Sequence, residues 1–515
     1  MYPQVEIGDD IPPRGWKAHG SARPGKVARG LIIALVVGVL AGLAIMLQVK
    51  GWGTLSSEAG GACGTSSQGI SYGACPRGIA PALIISFVIG LPAVPLAFVY
   101  LFRKGWFRRG FLAIGAVAGV FAGQSLFAVW HGTDLAVAWT APYDSSSDLT
   151  TVGAWVNGGS LIRVRVDEAV SYAATTGQSQ WTLQVPGTDV ACSVSGTSSS
   201  SAIGLIGYGA DSTTCDHVMA VDLATGRQLW ADPVGNPYSG NNPTGVLAVA
   251  GGTGIVLTDD GLVGVNAQSG AQQWTLAPPD ACSFQQLTAS GASVVAIAAC
   301  DASFYVVSVN PATGKAAWQY HVTEPSDSYQ FQVLSASPVV VNDNLTGPRG
   351  TSTVRVFSSG GSVTSTFPVS GISLNGGSVS LNTASTDGFG FPAVVADGML
   401  VGATTVNGSG DALVGYALSS GQRQWLVSTP DAVNDVAVNG DELAFVDESD
   451  PAYSLEEASL STGKVHSLGF FTQGVYQSGD SGLYLAGGDY LVVNQDGDSS
   501  SQAPVAAIKV PAAKG

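Results

Sequence analysis

The residues of this chain whose types and spacing could do chemistry are few. Ser478-Gly-Asp-Ser-Gly482 repeats the short string found around some hydrolytic serines, but Leu483-Tyr484 follows it and a turn between strands accounts for it. There is no Gly-x-Ser-x-Gly elbow and no phosphate loop. Asn494, Asp496 and Asp498 alternate around Gly497 as oxygen ligands do in calcium loops, yet the bidentate Glu that completes such a site is missing, which leaves a weak calcium candidate. His217, His321 and His466 stand far apart without a His-x-x-x-His pair, and the six cysteines contain no Cys-x-x-Cys. The expectation is no catalytic residue, no cofactor-binding residue and no resident cofactor.

What would have to position such side chains is a repeat. In His217-Val-Met-Ala-Val-Asp-Leu-Ala-Thr-Gly-Arg-Gln-Leu-Trp230 the segment from Val218 alternates as a strand does, Thr225-Gly226 supplies turn chemistry, and Gln228 to Trp230 begins a returning strand. The same hairpin recurs at 170–181, 262–274, 304–318 and 413–425. In each copy the Trp (Trp181, Trp230, Trp274, Trp318, Trp425) lies four residues past the turn glycine (Gly177, Gly226, Gly270, Gly314, Gly421). Successive tryptophans are 49, 44, 44 and 107 residues apart, and the last gap spans two periods. A strand-built repeat of that length predicts propeller blades.

With its small-residue, Thr-Gly, three-residue, Trp signature, the repeat resembles the pyrroloquinoline-quinone-like (PQQ-like) β-propeller family. The resemblance implies that each Trp docks its blade onto the next and is structural. Degenerate copies at 353–367, with Gly360-Gly361 but no Trp, and at 454–468, with Ser467 at the Trp site, raise the hairpins to seven. An eighth blade would take strands at 483–487, 490–494 and 504–510 and borrow its outer strand from Leu135 to Thr140, with Trp139 in register. Closing the ring through both chain ends removes a free sheet edge. The fold class expected is an all-β propeller of eight blades, with seven as the alternative if 353–367 is an insertion.

Three apolar stretches precede it: Gly30 to Gln48, Ile79 to Phe102 and Phe111 to Trp130. Each can cross about 30 Å of hydrocarbon as a helix, and none carries an ionisable residue. The division expected is a disordered cytoplasmic tail at 1–29, a transmembrane region at 30–130 with an outer loop at 49–78, and a propeller at 131–515. Lys and Arg concentrate before the first span and between the second and third, which puts the N-terminus in the cytoplasm and the propeller outside. Gly38 and Gly42 in the first span, and Gly115, Gly119 and Gly123 in the third, suit close helix contact inside the unit or between copies. Pro81, Pro92 and Pro95 should kink the second span.

All six cysteines fall in segments assigned outside, where disulfides persist. Cys63 with Cys75 would close the first loop. Cys192 with Cys215, and Cys282 with Cys300, would each join the start of a blade's first strand to the end of its second. From His131 onward 33 Asp and Glu stand against 10 Lys and Arg, a net charge of −23 where the whole chain carries −16. That acidity excludes a nucleic-acid surface. Two functions remain open. The favoured one is a membrane-anchored, non-catalytic propeller that binds a protein, peptide or envelope ligand. The alternative, implied by the resemblance, is a membrane-bound quinoprotein dehydrogenase. Against it stand the need of a polycarboxylate cofactor for cationic partners, the lack of adjacent cysteines, and the short loops.

Overall fold

The computed structural model describes residues 24–58, 78–102, 105–196, 202–211, 215–233, 245–279, 281–300, 303–323, 329–345, 352–369, 393–405, 411–429, 433–447, 453–471, 475–476, 481–498 and 502–510. The chain divides into two units, 1–132 and 133–515. The expected Cys63–Cys75 bridge lies outside the described residues.

In the first unit three helices, α1 (Pro24–Glu58), α2 (Ile79–Phe102) and α3 (Trp106–His131), are each long and apolar enough to cross a membrane. They turn large side chains such as Phe87, Leu91, Phe98 and Phe121 outward, the reverse of a soluble fold. Their small residues face inward. A Cβ on Gly42 would overlap the Ala116 carbonyl, and one on Gly119 the Val39 carbonyl, so the glycine stripes of α1 and α3 are used against each other within one chain. α1 continues past Gln48, and α3 begins at Trp106 rather than Phe111, because a helix need not stop where hydrocarbon does. Arg108 packs against Gly30 at the shared end of these two helices. Pro81 falls in the first turn of α2, where a missing N–H costs nothing, while Pro92 and Pro95 lie inside the helix.

The second unit is an eight-bladed β-propeller of eight four-stranded antiparallel sheets. Blades 1 to 7 occupy residues 151–184, 190–233, 247–276, 282–323, 329–369, 394–428 and 433–471. The middle strands of the blades are buried on both faces, since alternate side chains enter the cores on either side of a blade, while the outermost strands are largely exposed. Leu161 packs with Leu491 and Val505 of blade 8, whereas Ile162 and Val164 pack with Ile206 and Met219 of blade 2. The degenerate copy at 353–367 is the outer hairpin of blade 5, strands Ser352–Phe357 and Val363–Val369, so it counts as a blade and the ring has eight.

The recurring Thr-Gly turns share one geometry. In six blades the glycine N–H donates to the carbonyl four residues earlier (Gly226 to Asp222, for example, at 2.8 Å), and the glycine sits at positive φ, 67° at Gly314. The tryptophan of the preceding blade lies on that turn. Trp274 covers Gly314 and donates its indole N–H to Pro311 at 2.7 Å; Trp425 does the same to Gly463 and Leu460 at 2.8 Å, and Trp139 to Gly177 and Ala174 at 2.7 Å. Phe367 takes the place of Trp on Gly421. The residue paired across the hairpin from each Trp is small, as with Gly264 opposite Trp274, which leaves room for the ring. Trp274→Ala should therefore destabilise the propeller by about 3–5 kcal/mol, the cost of deleting a large buried aromatic. Thermal unfolding of the full-length protein checks this, and an unchanged midpoint would show that the indole holds nothing.

Blade 8 is closed by both ends of the unit, with strands ordered 136–140, 505–509, 489–494 and 481–486. Val137 pairs with Ile508 and Thr140 with Ala506. This blade has no Thr-Gly turn, because its third and fourth strands come from opposite ends of the chain. Blade 7 accordingly has no Trp to place there. In its stead the segment before the first strand bridges to blade 7: Leu135 N–H donates to Phe470 at 2.6 Å and Phe470 N–H to Thr133 at 2.7 Å. The buried Leu135 side chain packs with Phe471 and Tyr476.

Candidate functional site

Buried polar side chains gather at one end of the ring, where first strands begin and second strands end: Thr151, Asp343, Asp435, Asp447, Ser481 and Asn494. Placing polar groups there without partners would cost several kcal/mol each, and Thr151, Asp343, Asp435, Ser481 and Asn494 form hydrogen bonds there. Ser481 donates to Asp435 at 2.6 Å, joining blades 7 and 8. Thr151 Oγ1 donates to the Asn494 carbonyl at 2.8 Å, joining blades 1 and 8. Asp343 binds Arg355 within blade 5.

The strongest constellation lies at the seam of blades 8 and 1. Asp144, on the connection from the closing strand to blade 1, receives both Nη atoms of Arg163 at 3.0 and 2.7 Å, and Nη1 of Arg165 at 2.6 Å. Arg163 Nε donates to Thr151 Oγ1 at 2.7 Å. Asp144 N–H donates to the Gly497 carbonyl at 2.7 Å, which ties the same residue to blade 8. Arg163 and Asp144 are almost wholly buried, with side chains 1% and 2% exposed. Arg165 also binds Asp167 and Glu168. Burial lowers the pKa of its guanidinium, but the hydrogen bonds to Asp144 and Asp167 and the neighbouring negative charges outweigh that and leave it raised. Chemically the cluster holds two cations against three carboxylates, and its fit is that of a latch.

The residues singled out in the sequence do not converge. Ser481, the serine of the Gly-Asp-Ser-Gly string, is fully buried at the start of its strand. Asn494 spends its amide on the Val475 and Ala503 carbonyls, at 2.9 and 2.6 Å. Asp496 and Asp498 lie in the loop that follows, where Asp498 forms an isolated parallel backbone bridge with Asp144. Among the described residues no three His, Cys, Asp or Glu side chains come together as metal ligands do. His217 stacks on Tyr208, His321 stacks on Tyr305, and His466 binds Glu457 at 3.1 Å, in blades 2, 4 and 7. Cys282 and Cys300 face each other in register and are bonded. Cys192, the extra residue of a bulge in its strand, is bonded to Cys215, which lies just beyond the second strand.

The latch was missed in the sequence. Its signal is Arg163-Val-Arg165-Val-Asp167-Glu168, in which charges two residues apart fall on one face of an otherwise apolar strand.

Residues 167–362 match a family model described as outer membrane protein assembly factor BamB. Among solved structures, the computationally designed Ika8 protein is similar at 12% identity and a TM-score of 0.47, over 73% of this chain and 99% of that one. Saccharomyces cerevisiae Sqt1 is similar at 11% identity and a TM-score of 0.45, over 73% and 100%. Quinohemoprotein alcohol dehydrogenase from Comamonas testosteroni is similar at 12% and 0.47, over 73% and 76%. No curated protein matches the chain.

Proposed function

Because the propeller of this chain belongs to the PQQ-like repeat family, we propose that it works as a membrane-anchored, extracytoplasmic binding module, holding a protein, peptide or envelope ligand at its loops without transforming it. The observation that carries the reading is how the propeller spends its cations. Arg163, Arg165 and Arg355 are each neutralised by the chain's own carboxylates, while the unit as a whole remains strongly acidic. A surface of that sign favours a partner with basic groups and makes the association sensitive to salt. The family match to an assembly factor is in keeping with a protein partner. Basic residues flanking the helices, and four of the six cysteines paired as disulfides, support an exterior propeller.

The test has three arms. In intact cells a protease should remove a tag placed after residue 515 and spare one at Met1; the reverse pattern overturns the topology. Purified full-length protein mixed with pyrroloquinoline quinone and calcium should gain no absorbance band and reduce no dye with alcohols or sugars. Site-specific photocross-linkers on its loops should capture a discrete partner whose yield falls with salt. Quinone-dependent dye reduction would establish the dehydrogenase instead.

A further inference from the structure

The lipid-facing surfaces of α2 and α3 complement each other. α2 buries Ala82, Ser86 and Ala93 within the helical unit and sets Gly90 against Ala44 of α1, and its opposite face, with Val88, Leu91, Pro95 and Phe98, is exposed; Leu91 is 74% exposed. Pro92 and Pro95 lack an N–H, so the carbonyls of Val88 and Leu91 lose their helical donors on that exposed face. Both carbonyls then sit near mid-span, where lipid tails offer no donor and an unsatisfied carbonyl costs several kcal/mol. A shallow groove of about 620 Å³ lined by Val94, Pro95, Phe98, Val99 and Phe102 lies further toward the C-terminal end of α2. Nothing on this face of α2 can donate. The exposed face of α3 carries the opposite deficiency: Gln124 projects from the apolar helix and binds no described residue, whereas the neighbouring Ser125 hydroxyl is used by the Phe121 carbonyl at 3.0 Å.

We propose that the helical unit pairs with a second copy of this chain, α2 of each against α3 of the other, with the Gln124 amide donating to the freed Val88 carbonyl. The depths agree. Counted from the end shared by Phe102 and Trp106, Val88 stands about 21 Å and Gln124 about 27 Å along their helices. Side chains lean toward a helix's N-terminus, which lowers the Gln124 amide to the level of Val88. Because one chain holds both the donor and the acceptor, two copies satisfy each other twice and the contact closes as a symmetric dimer. The glycine faces of α1 and α3 are spent inside the unit and leave these surfaces free.

The proposal rests on the helices crossing a bilayer, and its test separates the two. Full-length protein labelled at Met1 with donor or acceptor dyes is reconstituted in phosphatidylcholine vesicles, and energy transfer is followed as lipid dilutes the protein. The expected result is transfer above random co-localisation that declines on dilution. Gln124→Leu should weaken association about threefold per hydrogen bond, and Pro92→Ala/Pro95→Ala, which restores the helical donors, by a similar factor. Their combination should add nothing to the larger single effect. Wild-type transfer at the random level, variants that associate as tightly as wild type, or losses that simply add would each overturn the pairing. Extraction of the chain by alkaline carbonate would overturn the membrane reading as well, whereas retention with a monomeric wild type sinks the dimer alone.

Discussion

Removing residues 504–510 unfolds the propeller rather than trimming it. Strand Val505–Lys509 is hydrogen-bonded on both sides, to 489–494 and to 136–140, and Val505, Ala506, Ala507 and Ile508 are wholly buried in the cores shared with blades 7 and 1. Its loss strips strand 136–140 of its ladder partner, bares the edge of 489–494 and leaves Trp139 with no blade to carry it. The combined cost exceeds the 5–15 kcal/mol by which a domain is stable. Limited proteolysis and size-exclusion chromatography of the truncated protein should show rapid cleavage within 133–503 and aggregation through the exposed edges. A truncated chain that stays monodisperse and resistant would mean that the strand closes nothing.

The second large effect is expected at the seam latch. Asp144→Ala should cost about 3–5 kcal/mol, because it leaves the Arg163 guanidinium buried with no carboxylate opposite and takes one partner from Arg165. The mirror variant Arg163→Met leaves Asp144 to Arg165 alone and should cost less. The double variant Asp144→Leu/Arg163→Met removes both charges and should recover much of the loss, since an apolar pair of similar volume often matches a buried ion pair. Denaturant unfolding of the three proteins forms a double-mutant cycle. Single losses that merely add would show that Asp144 and Arg163 are not coupled.

The fold was legible because its signals are local. A Thr-Gly turn, a Trp four residues on and a small residue across the hairpin are consequences of one blade geometry, and they return wherever a blade docks on the next turn. The departures follow the same logic. Ser467 replaces Trp because blade 8 has no turn to receive it, and Phe367 serves where the ring still needs an aromatic. The helix ends were read less well, since hydropathy marks where hydrocarbon begins and not where helical hydrogen bonding stops. The latch was illegible for a different reason. Asp144, Arg163 and Gly497 come together only when the two ends of the propeller meet, and no window of sequence contains all three. In the candidate calcium loop, where Asn, Asp and Gly alternate, Gln495 and Gly497 offer their carbonyls to the N–H groups of Thr151 and Asp144.

The shared blade also sets a clock. Strand 136–140 is made first among the propeller's strands, and its partner 505–509 is translated about 365 residues later. At roughly 5–20 residues per second that is a wait of about 20–70 s during which the leading strand has nothing to pair with. Joining ends so far apart costs about 5 kcal/mol of chain entropy by the logarithmic rule, little more than a loop half as long would. The delay is therefore kinetic. Seven blades can form in order behind the ribosome, yet the ring becomes one cooperative body only when the last strand arrives. A chain that stops before residue 505 carries an open propeller, and synthesis of strand 505–509 is itself the step that commits the domain to its native state.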